Sequence, residues 1–228
     1  MCSSDSSGMT WATYEAARSR LDKGDSVRMK SVASGTGLSM ILAYDRLIRD
    51  GFDPRQISVR ITDRDQASID KAGRLMAKLP LLRSRTSDVE ADGTISAGTE
   101  DIFAEPGLDT LTGEKYDVVT AVGILDYLQG FTFDTTERRL NLPETEEDWT
   151  AQHLAARLAE MTTDSAHLIV NTSRLHSSIR IMELFGKKFD YRNRQDLSAL
   201  LATANFRNPS LKGSGHIYDI EVYKKSLT

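Results

Sequence analysis

The sequence predicts an α/β fold: a doubly wound, mostly parallel seven-stranded sheet with helices on both faces and an antiparallel terminal strand pair. Three observations lead there. Short apolar runs alternate along the chain with longer segments whose apolar residues recur every three or four positions. The first apolar run ends in a glycine-bearing turn and leads straight into one of those amphipathic segments. Near the C-terminus, two apolar runs are separated by Lys212-Gly213-Ser214-Gly215, a spacing that suits a hairpin and makes one edge antiparallel.

The elements follow in order. Met1–Met9 is Ser-rich and reads as a flexible tail, and Thr10–Leu21 as a short helix ending near Lys23-Gly24. Ser26–Ala33 is the first strand. Leu38–Arg49 is a helix by the spacing of Leu38, Ile41, Leu42 and Ile48, with Gly51 placed to close it. Ile57–Ile61 is a strand running out at Thr62-Asp63. Gln66–Leu79 is a helix with Ile69, Ala72, Met76 and Leu79 on one face, capped by Asp65 and stopped by Pro80. Asp88–Ile95 is a third strand region and Tyr116–Val122 a strongly apolar fourth strand. Glu144–Met161 is a helix, and Ala166–Asn171 the fifth strand. Leu175–Phe185 and Arg194–Asn205 are further helices, and Leu211 with His216–Tyr223 marks the terminal pair.

The 228 residues make a single domain, 10–228, with a polar insertion at about 129–149. Gln129–Thr150 is long for a crossover loop and mixes Phe131, Phe133, Leu140 and Leu142 with several carboxylates, which suits a cover over a site. A net charge of −4 leaves no overall basic footprint for nucleic acid. One cysteine, Cys2, permits neither an internal disulfide nor a Cys/His zinc cluster, and no metal site is expected. A reducing, cytoplasmic setting is the simple reading, with no membrane span and no secretory signal in the Ser-rich start.

In open sheets of this class, ligands bind beyond the carboxyl ends of the strands, where the strand order reverses. The turn Ala33-Ser34-Gly35-Thr36-Gly37 lies there, and its small residues let a backbone approach a ligand closely. Asp63 ends the second strand, where a carboxylate can accept both hydroxyls of a ribose. Asp65 is better placed to cap the next helix, which leaves Asp63 for the sugar. The acidic stretch Thr99-Glu100-Asp101-Ile102 follows the third strand region.

In this ordered set the chain resembles the Rossmann-like methyltransferases that use S-adenosylmethionine (SAM). The resemblance covers roughly Val27 to Lys225. It implies a cofactor site built from Ala33, Ser34, Gly35 and Gly37 in the turn, Asp63 and Arg64 at the second strand, Glu100, Asp101 and Ile102 near the adenine, and Val122 and Gly123 beside the transferable methyl group. Ser31 stands where the family usually has an acid, and backbone carbonyls can replace that acid's contact to the methionine amino group. A pyrophosphate cofactor fits less well, because Met40 holds the place of the third glycine.

Methyl transfer needs alignment of a nucleophile more than a shared catalytic signature. His176, just beyond the fifth strand, is the candidate base, and Asp126 and Tyr127 after the fourth strand are candidates to face the acceptor. His167 and His216 begin strands on the opposite rim and read as structural. Gly123–Leu128 and the segment from Met182 through Tyr191 and Arg192 are similar to bacterial methyltransferases that form hydroxy-fatty-acid methyl esters. That implies Arg192 attracting an acceptor carboxylate. The expected function is SAM-dependent methylation of a small molecule, at a hydroxyl or carboxylate oxygen, by a monomer or homodimer. An RNA or protein methyltransferase, or a non-catalytic SAM- or nucleotide-binding subunit, is the alternative.

Overall fold

The structure is a computed structural model; it describes residues 4–78, 95–102, 113–124, 132–134, 139–141, 151–173, 194–214 and 218–226. Seven strands form one sheet in the order β3-β2-β1-β4-β7-β9-β8. They are β1 (Val27–Val32), β2 (Ile57–Asp63), β3 (Ile95–Thr99), β4 (Tyr116–Ala121), β7 (Thr162–Ser173), β8 (Phe206–Ser214) and β9 (Tyr218–Lys225). The first five run parallel, and β9 is antiparallel to both β7 and β8. The expected architecture is therefore present, terminal pair included.

The two faces are covered by different elements. One apolar core joins α1 (Ser4–Leu21), α2 (Leu38–Arg49) and α3 (Gln66–Met76) to Met29, Val59, Ile61 and Val118. The other joins α4 (Ala151–Glu160) and α5 (Arg194–Thr203) to Val119, Ala121, Leu168 and Tyr223. Neighbouring residues of one strand thus serve opposite cores, as Val118 and Val119 of β4 do. The central β4 is buried along its whole length. Its one charged residue, Asp117, accepts from the Arg28 amide (2.9 Å) and the Thr163 hydroxyl (3.0 Å), and it pairs with Arg20 (3.3 Å).

Several boundaries differ from the sequence reading. The expected tail is shorter, because α1 takes in residues from Ser4 onward and Met9 is buried. Helix α1 is held on α2 through the Tyr14 hydroxyl, which donates to Asp50 (2.6 Å), and through Arg46 over the Trp11 and Tyr14 rings. β7 starts at Thr162, directly after α4. Inside the expected cover, Thr132–Asp134 (β5) and Arg139–Asn141 (β6) pair as an antiparallel hairpin alongside α5. The expected helix Leu175–Phe185, most of the strand region Asp88–Ile95, and His216 lie outside the described residues.

Candidate functional site

Strand order reverses between β1 and β4, and the glycine turn sits at the carboxyl end of β1 beside that switch. Its backbone is unusual. Ala33 (φ 46°), Gly35 (φ 59°) and Gly37 (φ 60°) all occupy the left-handed region. Holding a non-glycine residue there costs about 1–2 kcal/mol, so the surroundings must over-determine the conformation at Ala33. The turn is closed by the Gly37 amide donating to the Ser34 carbonyl (3.1 Å), and the Gly37 carbonyl then accepts the first bond of α2 from Ile41 (3.0 Å).

The two glycines do different work. A Cβ on Gly37 would stand 2.6 Å from the Ile61 Cγ2. That atom belongs to a core side chain, so Gly37 lets the turn lie against β2. A Cβ on Gly35 would meet nothing within 4 Å. The space above Gly35 is open, and the Ser34 hydroxyl oxygen beside it is buried with no hydrogen-bond partner among the described residues. An open cradle next to an unmet buried polar atom fits a ligand passing over the turn.

Asp63, at the end of β2, is tied to this turn. Its Oδ2 accepts from the Gly35 amide (2.7 Å) and its Oδ1 from the Asp65 amide (2.9 Å). A carboxylate has about four lone-pair directions, so two remain for ligand hydroxyls. Asp65 caps α3 as expected, accepting from the amides of Ala67 (3.2 Å) and Ser68 (3.1 Å). Hydrogen bonding from Ser68 and from those amides holds its carboxyl below the usual range. Arg64 is exposed between the two.

The end of β3 departs from the expectation. The Glu100 amide donates to the Asp63 carbonyl (3.0 Å), which brings the backbone to the site. The Glu100 carboxylate turns away and accepts from the Lys30 ammonium at 2.9 and 3.0 Å. Lys30 is fully buried in β1, the Glu100 side chain is 7% exposed, and the ammonium also lies 5.3 Å from the centre of the Tyr116 ring. The side chain of Glu100 therefore braces β1 against β3. Asp101 is exposed and Ile102 is buried, and these two stay at the strand end.

At the end of β4, Val122 and Gly123 are half-buried. Gly123 (φ 75°) donates its amide to the Asn171 Oδ1 (2.6 Å), and Asn171, at the end of β7, is 3% exposed. Sequence reasoning missed Asn171, Lys30 and the strain at Ala33. The first had a signal: a polar residue closing an otherwise apolar strand, at the ligand-side rim. Ser31 is buried below the turn, where it accepts from the Thr120 hydroxyl (2.8 Å), and the Ser31 carbonyl accepts from Thr62 (3.2 Å). A neutral hydroxyl pair thus fills the position discussed above for an acid.

Of the other candidates, Asp126, Tyr127, His176 and Arg192 lie outside the described residues. His153 is exposed on α4. His167 is half-buried within β7 under α1, away from the turn. Burial, followed by the nearby Lys224, Arg20, Lys212 and Lys23, lowers its pKa to about 4. Among the described residues, no three His, Cys, Asp or Glu side chains are grouped to hold a metal, and no helix is long and apolar enough to cross a membrane.

No protein-family model matches the chain, and neither does any curated protein sequence. Solved structures do match the fold. One is a magnesium protoporphyrin IX methyltransferase from Synechocystis PCC 6803 with bound SAH, at TM-score 0.55 and 14% identity, covering 96% of this chain and 84% of that one. A second is an O-methyltransferase family 2 protein from Planctomyces limnophilus in complex with apigenin, at TM-score 0.60 and 13% identity, covering 89% and 51%. A third is the CMeT domain of citrinin polyketide synthase, at TM-score 0.61 and 10% identity, covering 90% and 48%. The chain spans about half the length of the last two. The fold is that of the Rossmann-like methyltransferases.

Proposed function

We propose that the protein is a SAM-dependent methyltransferase acting on a small-molecule oxygen, either a hydroxyl or a carboxylate. One observation carries the reading: the open, left-handed turn at the end of β1, with Asp63 of the next strand hydrogen-bonded into it, at the point where strand order reverses. The similarity of the fold to a methyltransferase structure solved with SAH supports it.

When bound, SAM supplies an electrophilic methyl group on a sulfonium. The protein's part is then to bind, orient and exclude water. Asp63 accepts the ribose hydroxyls with its free lone pairs. Gly35 gives the backbone room to approach the ligand, and the Ser34 hydroxyl finds a partner. Asp101 and Ile102 border the adenine, a place the Glu100 side chain does not take. Gly123, oriented by Asn171, borders the methyl group. An oxygen acceptor that must lose a proton needs a base, and His176, three residues beyond β7 in the sequence, is the candidate. Asp126 and Tyr127 are the candidates to touch the acceptor.

The experiment is calorimetry with SAM and SAH. Asp63→Ala should weaken binding about tenfold or more, since a charged hydrogen bond contributes about 1.5–3 kcal/mol. Asp65→Ala, which loses the helix cap alone, should bind within about twofold of the parent. Equal affinity in Asp63→Ala and the parent would overturn the assignment. A methylation screen of metabolite extracts then identifies the acceptor.

A further inference from the structure

A cavity of about 450 Å³ opens between α1 and the β7–β9–β8 end of the sheet. That is within the roughly 300–1,000 Å³ range of small-molecule pockets. Its walls include no residue of the glycine turn, Asp63, or the ends of β3 and β4. Its charges are mostly matched: Arg18 pairs with Asp22 (3.2 Å), and Lys212 with Glu15 (3.4 Å). Lys224 is the exception, for among the described residues no carboxylate pairs with it. Lys224 stands directly across from His167 in the β7–β9 ladder. The Nδ1 of His167 is buried and meets no hydrogen-bond partner. The small buried side chains Ala12 and Ala16 of α1, with Val222 of β9, complete the apolar part of the wall.

An unmatched cation, an unmet imidazole nitrogen and an apolar floor together define a ligand chemistry. We propose that this cavity is a second ligand site, taking a small carboxylate with a short apolar body. The carboxylate lies on the Lys224 ammonium and reaches the His167 ring nitrogen, and the body lies over Ala12, Ala16 and Val222. A neutral imidazole can donate one hydrogen bond to such an oxygen. The lysine adds the charge-assisted contact, which is about twice as strong as a neutral one. The proposal does not depend on the SAM assignment.

The test is NMR of the histidine rings in the full chain, with the His167 signal assigned by its loss in His167→Gln. Sodium hexanoate should shift the His167 ring saturably. Hexylammonium chloride should not, and inorganic phosphate, which lacks the apolar body, should bind at least about tenfold more weakly. Lys224→Met should weaken hexanoate binding at least about tenfold. Ala16→Leu, which fills the cavity and leaves every charge in place, should abolish it. In both variants the far-UV circular dichroism should stay that of the parent. No saturable shift, an undiminished shift in either variant, or phosphate binding as well as hexanoate would overturn the proposal.

Discussion

Gly35 and Gly37 lie two residues apart in one turn, yet they should answer substitution differently. Gly37→Ala strains the left-handed backbone and also drives a methyl group into Ile61, so it should destabilise the fold by about 2–3 kcal/mol. Gly35→Ala carries only the backbone strain, about 1–2 kcal/mol, because its Cβ meets open space. That space is where the cofactor is proposed to pass, so Gly35→Ala should lose far more in SAM affinity than in stability. Urea unfolding beside calorimetry separates the two, and a Gly35 variant that binds normally puts the ligand elsewhere. The glycines and Asp63 were legible in the sequence because turn chemistry is local. Lys30 and Glu100 were not, since 70 residues separate the two halves of their ion pair. A carboxylate at a strand end looks available until the buried cation that holds it is known.

The elements that could be read in full were those with strong patterns and clear ends. Helix α2 runs over the expected Leu38–Arg49 because its apolar face is continuous and Gly51, at φ 94°, stops it. β3 could not be read so well. It is an edge strand made of Ile95, Ser96, Ala97, Gly98 and Thr99, only half-buried, so alternation is weak and the apolar signal falls upstream. The β5–β6 hairpin was hidden by the polar composition of its surroundings. That hairpin supports a prediction about the segment as a cover. Deleting residues 131–142 should leave SAM affinity nearly intact, because the cofactor site is built from other elements. Turnover on the identified acceptor should be lost, because water is no longer excluded. A deletion variant with full turnover rules out the cover.

On the scale of the whole molecule, acid should weaken the fold through His167. The free imidazole titrates at about 6.5, while in the folded chain it is held down to about 4. Between those values the unfolded chain binds a proton that the folded chain refuses, so stability rises with pH across that window and falls as pH drops through it. Discounting for the part of the ring that solvent reaches, the loss between pH 7.5 and pH 5 should be about 1–2 kcal/mol. His167→Gln should show a flatter pH dependence in urea unfolding, and an unchanged slope assigns the acid sensitivity to other groups.

The position of β9 bears on how the chain is made. It follows β8 in sequence but lies between β7 and β8, hydrogen-bonded to both. On the ribosome, the first five strands of the sheet can emerge and assemble in order of synthesis. β8 emerges before the strand that joins it to them, so it must wait with its backbone groups unpaired. Closure of the sheet thus waits until β9 has left the exit tunnel. A nascent chain ending at Ser214 and carried clear of the tunnel by a flexible linker should remain open to protease at β8, while one that runs on through Lys225 before the same linker should be protected.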